Sequence, residues 1–360
     1  MAMRRVLVSF LKDGMKLGRT IYNNKGEELL RAGVILDDDY ISLLTKTNVA
    51  FVLVDDGVPF QLPEAPDVIS RQTRKVAVSQ IKKVLLDSRE SGRLVIEPQT
   101  LYNTVGELIQ QLLANRDVIF NLVDLRMMDD YLFAHSVNVC ILSVMTGITL
   151  GYSRNDLETL GIGALLHDLG IMKMPEKLLN KPSSLSKEEW EIIKMHPIYG
   201  YETITEAGNL DEAHAIIALQ HHENYDGSGY PLGITGDQFS EFAQIVSLAD
   251  RFDAITSERS YRKAYPPIEA YEMCEASMNY LVSESVARAF MYNIAAYPSN
   301  TVVELNNGMI GVTTQTFKGN SLFPLVKVYS DENKKMLAEP ILLPLYKSKG
   351  LRIVRVLQGP

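Results

Sequence analysis

The chain has 360 residues, 46% hydrophobic and 22% charged; this length suits two or three domains, and the composition excludes disorder, collagen and coiled-coil rod. Lys and Arg number 36 against 44 Asp and Glu, a net charge of −8, which argues against polymeric nucleic acid or anionic membrane as a general partner, because polyanion binding runs on cationic surface. Two widely separated cysteines, Cys140 and Cys274, make no disulfide framework and read as small core residues of a reduced, cytoplasmic protein.

Residues 1–65 read as a small α+β accessory domain. Arg5 to Phe10 has strand character, and the apolar run Val6 to Leu11 is too short for a signal peptide. Thr20 to Tyr22 and Glu28 to Leu30 flank Gly26 as a hairpin. Asp37 to Asp39 open a helix with acids in its first turn. Ala50 to Val54 is a closing strand, with Asp55 and Asp56 in a solvated turn. Pro59, Pro63 and Pro66 mark a linker.

Residues 66–120 read as a helical linker region. Val105, Leu108, Ile109, Leu112 and Leu113 repeat with helical period as one apolar stripe, and that stripe makes homodimer contact through residues 68–114 an expectation. Helical patterning continues over 121–297. The most apolar stretch, Val137 to Leu150, is interrupted by Asn138, Ser143, Thr146 and Gly147 and reads as short of a membrane span. Residues 298–360 turn to short β-rich runs at Thr301 to Leu305, Asn306 to Val312, Leu325 to Tyr329 and Leu351 to Val356, a small β-rich domain. The fold class is therefore mainly α, flanked by these two small domains, which are the expected places for protein partners.

All six histidines fall in the helical block. His135 shares a helical face with Leu142 and Met145, and alone it reads better as a core histidine bonded to a backbone carbonyl. His167-Asp168 ends a helix whose buried face carries Leu157, Leu160 and Ala164, with Gly170 as the stop. Ser186 and Glu189 form a capping box on a helix that ends at His196-Pro197. His221-His222 runs into a Gly-rich loop ending Gly229-Tyr230-Pro231, which makes no sense as core. Asp250 is embedded in an apolar helix and needs a partner or a metal; Asp253 lies one turn on. His214 reads as a surface or half-buried residue without a ligand role. Five imidazoles with two or three carboxylates suit first-row metals rather than Ca or Mg. They are too many for one tetrahedral ion and fit a bridged pair, which would clamp the attacking and leaving oxygens of a phosphoryl centre.

This ordered set, His135, His167-Asp168, His196, His221-His222 and Asp250 with the Gly229-Tyr230-Pro231 loop, resembles the HD-GYP family of the HD superfamily, the bacterial cyclic di-GMP phosphodiesterases. The likeness runs from about residue 125 to 295. It implies an all-helical HD-type metal-dependent phosphohydrolase domain at 121–297 holding two divalent ions, Fe or Mn first and Zn, Ni or Co after them. His135, His167, Asp168 and Asp250 would form one half of the site with Asp168 bridging, and His196, His221 and His222 the other. Gly229, Tyr230 and Pro231 would line the substrate pocket, and Arg259 and Arg262 would bind its phosphates. His167 and Asp168 are the catalytic pair, with Asp253 orienting the nucleophile or a metal ligand. The implied reaction is attack of a metal-activated hydroxide on cyclic di-GMP, giving pGpG, GMP or both.

Two positions depart from the family. Ile171 follows Gly170 where many relatives carry a lysine; Lys173 is the stand-in considered. Tyr131 occupies the position of a glutamate that serves a third metal in some relatives, and Asp130 would point away, so two metals are expected. Ile171 also supports the alternative of a cyclic di-GMP sensor with little or no hydrolysis. A nucleotidase acting on mononucleotides is a third reading, opposed by the Gly-Tyr-Pro loop.

Overall fold

The computed structural model describes residues 3–8, 11–22, 28–47, 49, 51–55, 68–120, 131–179, 181, 184–257 and 265–357. The Gly26 turn, the linker prolines, Asp56, Asp130, Arg259 and Arg262 lie outside the described residues, and nothing of the Tyr131 side chain is described.

The N-terminal unit holds β1 (Met3–Leu7), β2 (Ile21–Tyr22), β3 (Glu28–Leu30), α1 (Asp38–Lys46) and β4 (Phe51–Asp55). β1 pairs antiparallel with β4, and β2 with β3. Asp37 caps α1 by accepting the Tyr40 N–H at 2.8 Å, the side-chain cap that an aspartate supplies to an orphan helix donor. Leu17, Leu36, Leu44 and Val54 pack at its centre. Asp55 is buried and paired with Lys16 at 3.1 Å, not in the expected solvated turn. The pairing of β4 with β1 carries it inward.

The helical body comprises α2 (Arg71–Ser91), α3 (Pro98–Ala114), α4 (Tyr131–Leu150), α5 (Arg154–Leu166), α6 (Glu176–Leu179), α7 (Lys187–Ile193), α8 (His196–Ala207), α9 (Glu212–Gln220), α10 (Glu241–Thr256), α11 (Pro267–Ala276) and α12 (Glu284–Tyr292). α2 and α3 are not a linker between cores. Ile81, Val105, Leu108 and Ile109 belong to the same hydrophobic core as Ile141 of α4, Leu160 of α5 and Phe252 of α10. The stripe expected to form a dimer contact is covered by the chain's own helices; of its five residues Leu113 is exposed. Window Phe133–Leu150 of α4 is long and apolar enough to cross a membrane, but 78% of it is buried inside the chain. Its apolarity serves a central helix packed by α2, α5, α10 and α12.

The C-terminal unit is a five-stranded antiparallel sheet of β5 (Val302–Leu305), β6 (Ile310–Gln315), β7 (Leu325–Ser330), β8 (Met336–Pro344) and β9 (Ile353–Val356), in the order β8-β7-β6-β5-β9. The sequence reading finds four of these strands and misses β8. That strand contains Pro340 and Pro344, which argue against a strand until it is placed at a sheet edge.

Candidate metal centre

Seven side chains from five elements converge. His135 comes from the first turns of α4, His167 and Asp168 from the end of α5, His196 from the start of α8, His221 and His222 from the end of α9, and Asp250 from the middle of α10. They fall into two groups, each with its donor atoms within 4.8 Å of one another: His135, His167 and Asp250; and Asp168, His196, His221 and His222.

Three of the histidines are held by the same device. A helix ends with unpaired carbonyls in its last turn. His167 Nδ1–H donates to the Ala164 carbonyl at 2.7 Å, His196 to that of Ile193 at 2.8 Å and His221 to that of Ala218 at 2.8 Å. Each bond fixes the tautomer and leaves Nε2 with its lone pair free for a metal. The negative ends of α5 and α9 also favour a cation at this place.

Asp168 turns a different oxygen toward each group. Its Oδ2 lies 3.4 Å from His167 Nε2, while Oδ1 lies 3.3 Å from His196 Nε2 and 3.6 Å from His221 Nε2. Burial alone would raise its pKa, but His167, His196 and His221 together hold it well below the usual carboxylate range. Asp250 faces His135 Nε2 with Oδ1 at 3.1 Å and His222 Nδ1 with Oδ2 at 4.0 Å. It too is held low, because its histidine neighbours outweigh burial. His167 Nε2 is fully buried and lacks a hydrogen-bond partner among the described residues; its approach to Asp168 at 3.4 Å is an ion-pair distance without hydrogen-bond geometry. A buried imidazole nitrogen left so is costly, and a metal ion shared with Asp168 satisfies it. The donor set therefore fits first-row divalent metals on this structure's own geometry.

Gly170 does not stop a helix. α5 ends at Leu166, and a 3-10 turn continues over Leu169–Lys173. A Cβ at Gly170 would sit 1.9 Å from the His196 carbonyl oxygen and 2.6 Å from the Gly200 nitrogen. The glycine is there so that α8 can approach. His196 likewise opens α8 rather than closing the helix before it, which ends at Ile193.

The segment after His222 folds back on itself. A Cβ at Gly229 would lie 2.3 Å from the Asn224 nitrogen and 2.4 Å from Glu223 Cα. Tyr230 N–H donates to the His222 carbonyl at 3.2 Å, and its ring stacks on the His222 imidazole, centroids 4.8 Å apart and 24° from parallel. Glu223, fully buried, accepts the Leu232 N–H at 2.6 Å and holds the loop beyond the Tyr230–Pro231 bond. Arg251 donates to Asn224 Oδ1 at 2.7 Å, and Lys194 Nζ lies 5.7 Å from the Tyr230 ring centroid. Lys173 is exposed, with Nζ 5.8 Å from the Tyr199 ring, and takes its place there rather than beside Tyr230. His214, expected at the surface or half-buried without a ligand role, is fully buried, its Nδ1–H on the Asp211 carbonyl, and it belongs to neither group.

Asp253 is buried between His135 and Asn138. Its Oδ2 accepts the His135 Nδ1–H at 2.7 Å and its Oδ1 accepts from Asn138 Nδ2 at 2.9 Å. It is thus outside both ligand groups and behind one of them. The sequence reading passes over Asn138, Glu223, Lys194 and Arg251 as site residues. The signal for Asn138 and Glu223 is available in part, since a polar side chain that interrupts an apolar helix or follows two histidines needs a partner.

Residues 109–281 match the model of the HD domain family. The chain is 29% identical over 287 residues to the cyclic di-GMP phosphodiesterase PA4108 of Pseudomonas aeruginosa, covering 78% of this chain and 69% of that protein. It is 30% identical over 208 residues to the cyclic di-GMP phosphodiesterase PdeB of Borreliella burgdorferi, 58% of this chain and 54% of the relative. It is also 34% identical over 149 residues to the 3'3'-cGAMP-specific phosphodiesterase 3 of Vibrio cholerae, 41% of this chain and 32% of the relative. The chain thus spans about half or less of the length of the latter two.

Proposed function

We propose that the chain, which matches the HD domain family over residues 109–281 and resembles the HD-GYP family within it, is a metal-dependent phosphodiesterase that opens cyclic di-GMP to pGpG and, with a second cut, GMP. The observation that carries this reading is Asp168, whose two oxygens face two separate groups of histidines. His135, His167 and Asp250 would hold one ion, and His196, His221 and His222 the other, with Asp168 common to both and Fe or Mn as the ions.

A metal pair bound there supplies a more acidic water as nucleophile and withdraws charge from the phosphoryl group. The protein's own part is positional and electrostatic. The helix-end carbonyls under His167, His196 and His221 keep the ligand nitrogens aimed inward. Tyr230, fixed against His222, offers an aromatic wall for a guanine. Lys194, near the Tyr230 ring, and Arg251, bonded to Asn224, offer cationic contacts for phosphates in a chain of net charge −8, and Arg259 and Arg262 are the further cations that the resemblance implies. Lys194 is better placed beside Tyr230 than Lys173 to supply the charge that Ile171 does not.

The test is turnover followed by chromatography, with Mn(II) or anaerobic Fe(II) added, on cyclic di-GMP, 3'3'-cGAMP and mononucleotides in parallel. Metal-dependent pGpG or GMP, absent from a His167→Ala/Asp168→Ala control, is expected. Faster turnover of 3'3'-cGAMP would reassign the substrate. Tight cyclic di-GMP binding with metals present and no product would replace the enzyme by a sensor.

A further inference from the structure

A buried polar row leads from α2 to the metal centre. Arg74 of α2 donates through Nη1 to Asn138 Oδ1 at 3.5 Å; Asn138 of α4 donates through Nδ2 to Asp253 Oδ1 at 2.9 Å; and His135 Nδ1–H donates to Asp253 Oδ2 at 2.7 Å. All four residues are at most 5% exposed. We propose that Asn138 and Arg74 are positioning residues for the ion held by His135, acting through Asp253, and that they tie this half of the centre to α2. The inference rests on the reading that His135 holds metal.

Each link has a physical reason. An aspartate buried at this depth costs several kcal/mol unless it is paired or bonded. Here one oxygen takes the imidazole N–H and the other the Asn138 amide, so the carboxylate cannot rotate away from His135. With Nδ1 committed as donor, His135 has Nε2 alone to offer, and that atom already faces Asp250 at 3.1 Å. A carboxylate behind a ligating histidine also raises its basicity toward metal, and loss of such a partner typically costs 10–100-fold in affinity. Asn138 can serve Asp253 only with its amide nitrogen turned that way; Arg74, a pure donor, sets this orientation by occupying the amide oxygen. α2 is the first helix after the N-terminal unit, so the row connects the metal group to the element that follows that unit.

The hydrogen bonds of the row run from Arg74 through Asn138 and Asp253 to His135 and so reach the first group, while the second group is Asp168, His196, His221 and His222. The row should therefore act on one ion and spare the other, which a general loss of packing would not do. The experiment is Mn(II) binding to the full chain, by metal analysis and EPR, in wild type, Asn138→Leu and Arg74→Met, with thermal unfolding of the metal-free proteins as the check on folding. Wild type should bind two ions with an exchange-coupled signal. Asn138→Leu should keep one ion at unchanged affinity, bind the second roughly 10–100-fold more weakly, and show an isolated Mn(II) signal at limiting metal. Arg74→Met should change in the same direction by less, and it carries the test if Asn138→Leu does not fold. Unchanged binding of two ions by a folded variant, or equal weakening of both, overturns the inference. A wild-type chain holding a single ion, with His135→Ala losing nothing, overturns the reading beneath it as well.

Discussion

Gly170 and His196 meet backbone to backbone: the Cα of the one and the carbonyl of the other are so close that a methyl group at residue 170 would lie 1.9 Å from the oxygen. The turn after His167-Asp168 is thus the seat on which α8 delivers its histidine to Asp168 Oδ1. Gly170→Ala should push α8 outward. Overpacking at such a contact costs roughly 1–3 kcal/mol, and backbone on both sides leaves little room to relax. We expect a lowered unfolding midpoint and, in the folded fraction, weaker metal binding by the group that contains His196. A variant with wild-type stability and metal content would show that the contact sets neither.

The stack of Tyr230 on His222 predicts a division between two substitutions. Aromatic pairs contribute about 0.5–1.5 kcal/mol beyond their buried area. Tyr230→Phe keeps the stack, and KM and metal affinity should change little. Tyr230→Ala frees His222 and removes the wall next to Lys194, so KM should rise and metal affinity at His222 should fall. Steady-state kinetics with metal titration checks this. Equal behaviour of the two variants would mean that the phenol oxygen, not the ring, is what matters.

The seven residues that converge were legible as candidates because a histidine or an aspartate on an apolar helical face is costly without a partner, and seven such residues in order are hard to explain as core. Their grouping came from the family resemblance rather than from local pattern, because it depends on which helix ends meet. The sequence distance from Asn138 to Asp253 is 115 residues, and no local pattern links them; Asn138 looked like a break in an apolar run. Gly170 was legible as a glycine but assigned to the wrong cause, since a helix stop and a close backbone approach call for the same residue. The stripe on α3 was read as apolar, and four of its five residues are buried, but periodicity does not say whether the chain or a second copy covers it. Here α5 and α4 are among the elements that do.

The two ligand groups differ in how they hold protons, and this predicts an order of metal loss. Burial disfavours the charged form of His135, His167, His221 and His222. At His135 the carboxylates of Asp250 and Asp253 outweigh burial and raise it well above its ordinary value of 6.5; at His167 Asp168 and Asp250 also outweigh burial and raise it. At His221 and His222 burial prevails, helped by neighbouring imidazoles, and both are lowered. A metal can bind only after displacing whatever proton its ligand carries. A raised histidine takes up its proton at higher pH, so competition begins there first as pH falls; a lowered one stays neutral further into acid. As pH falls, the ion at His135 and His167 should leave first, while the ion of the group that contains His221 and His222 stays. Metal content after stepwise acidification should therefore pass through one ion per chain. In His221→Ala, which retains only the proton-holding group intact, the remaining ion should be lost at higher pH than in His135→Ala. Simultaneous loss of both ions, or the reverse order in these two variants, would show that the carboxylates around His135 do not control its proton in this way.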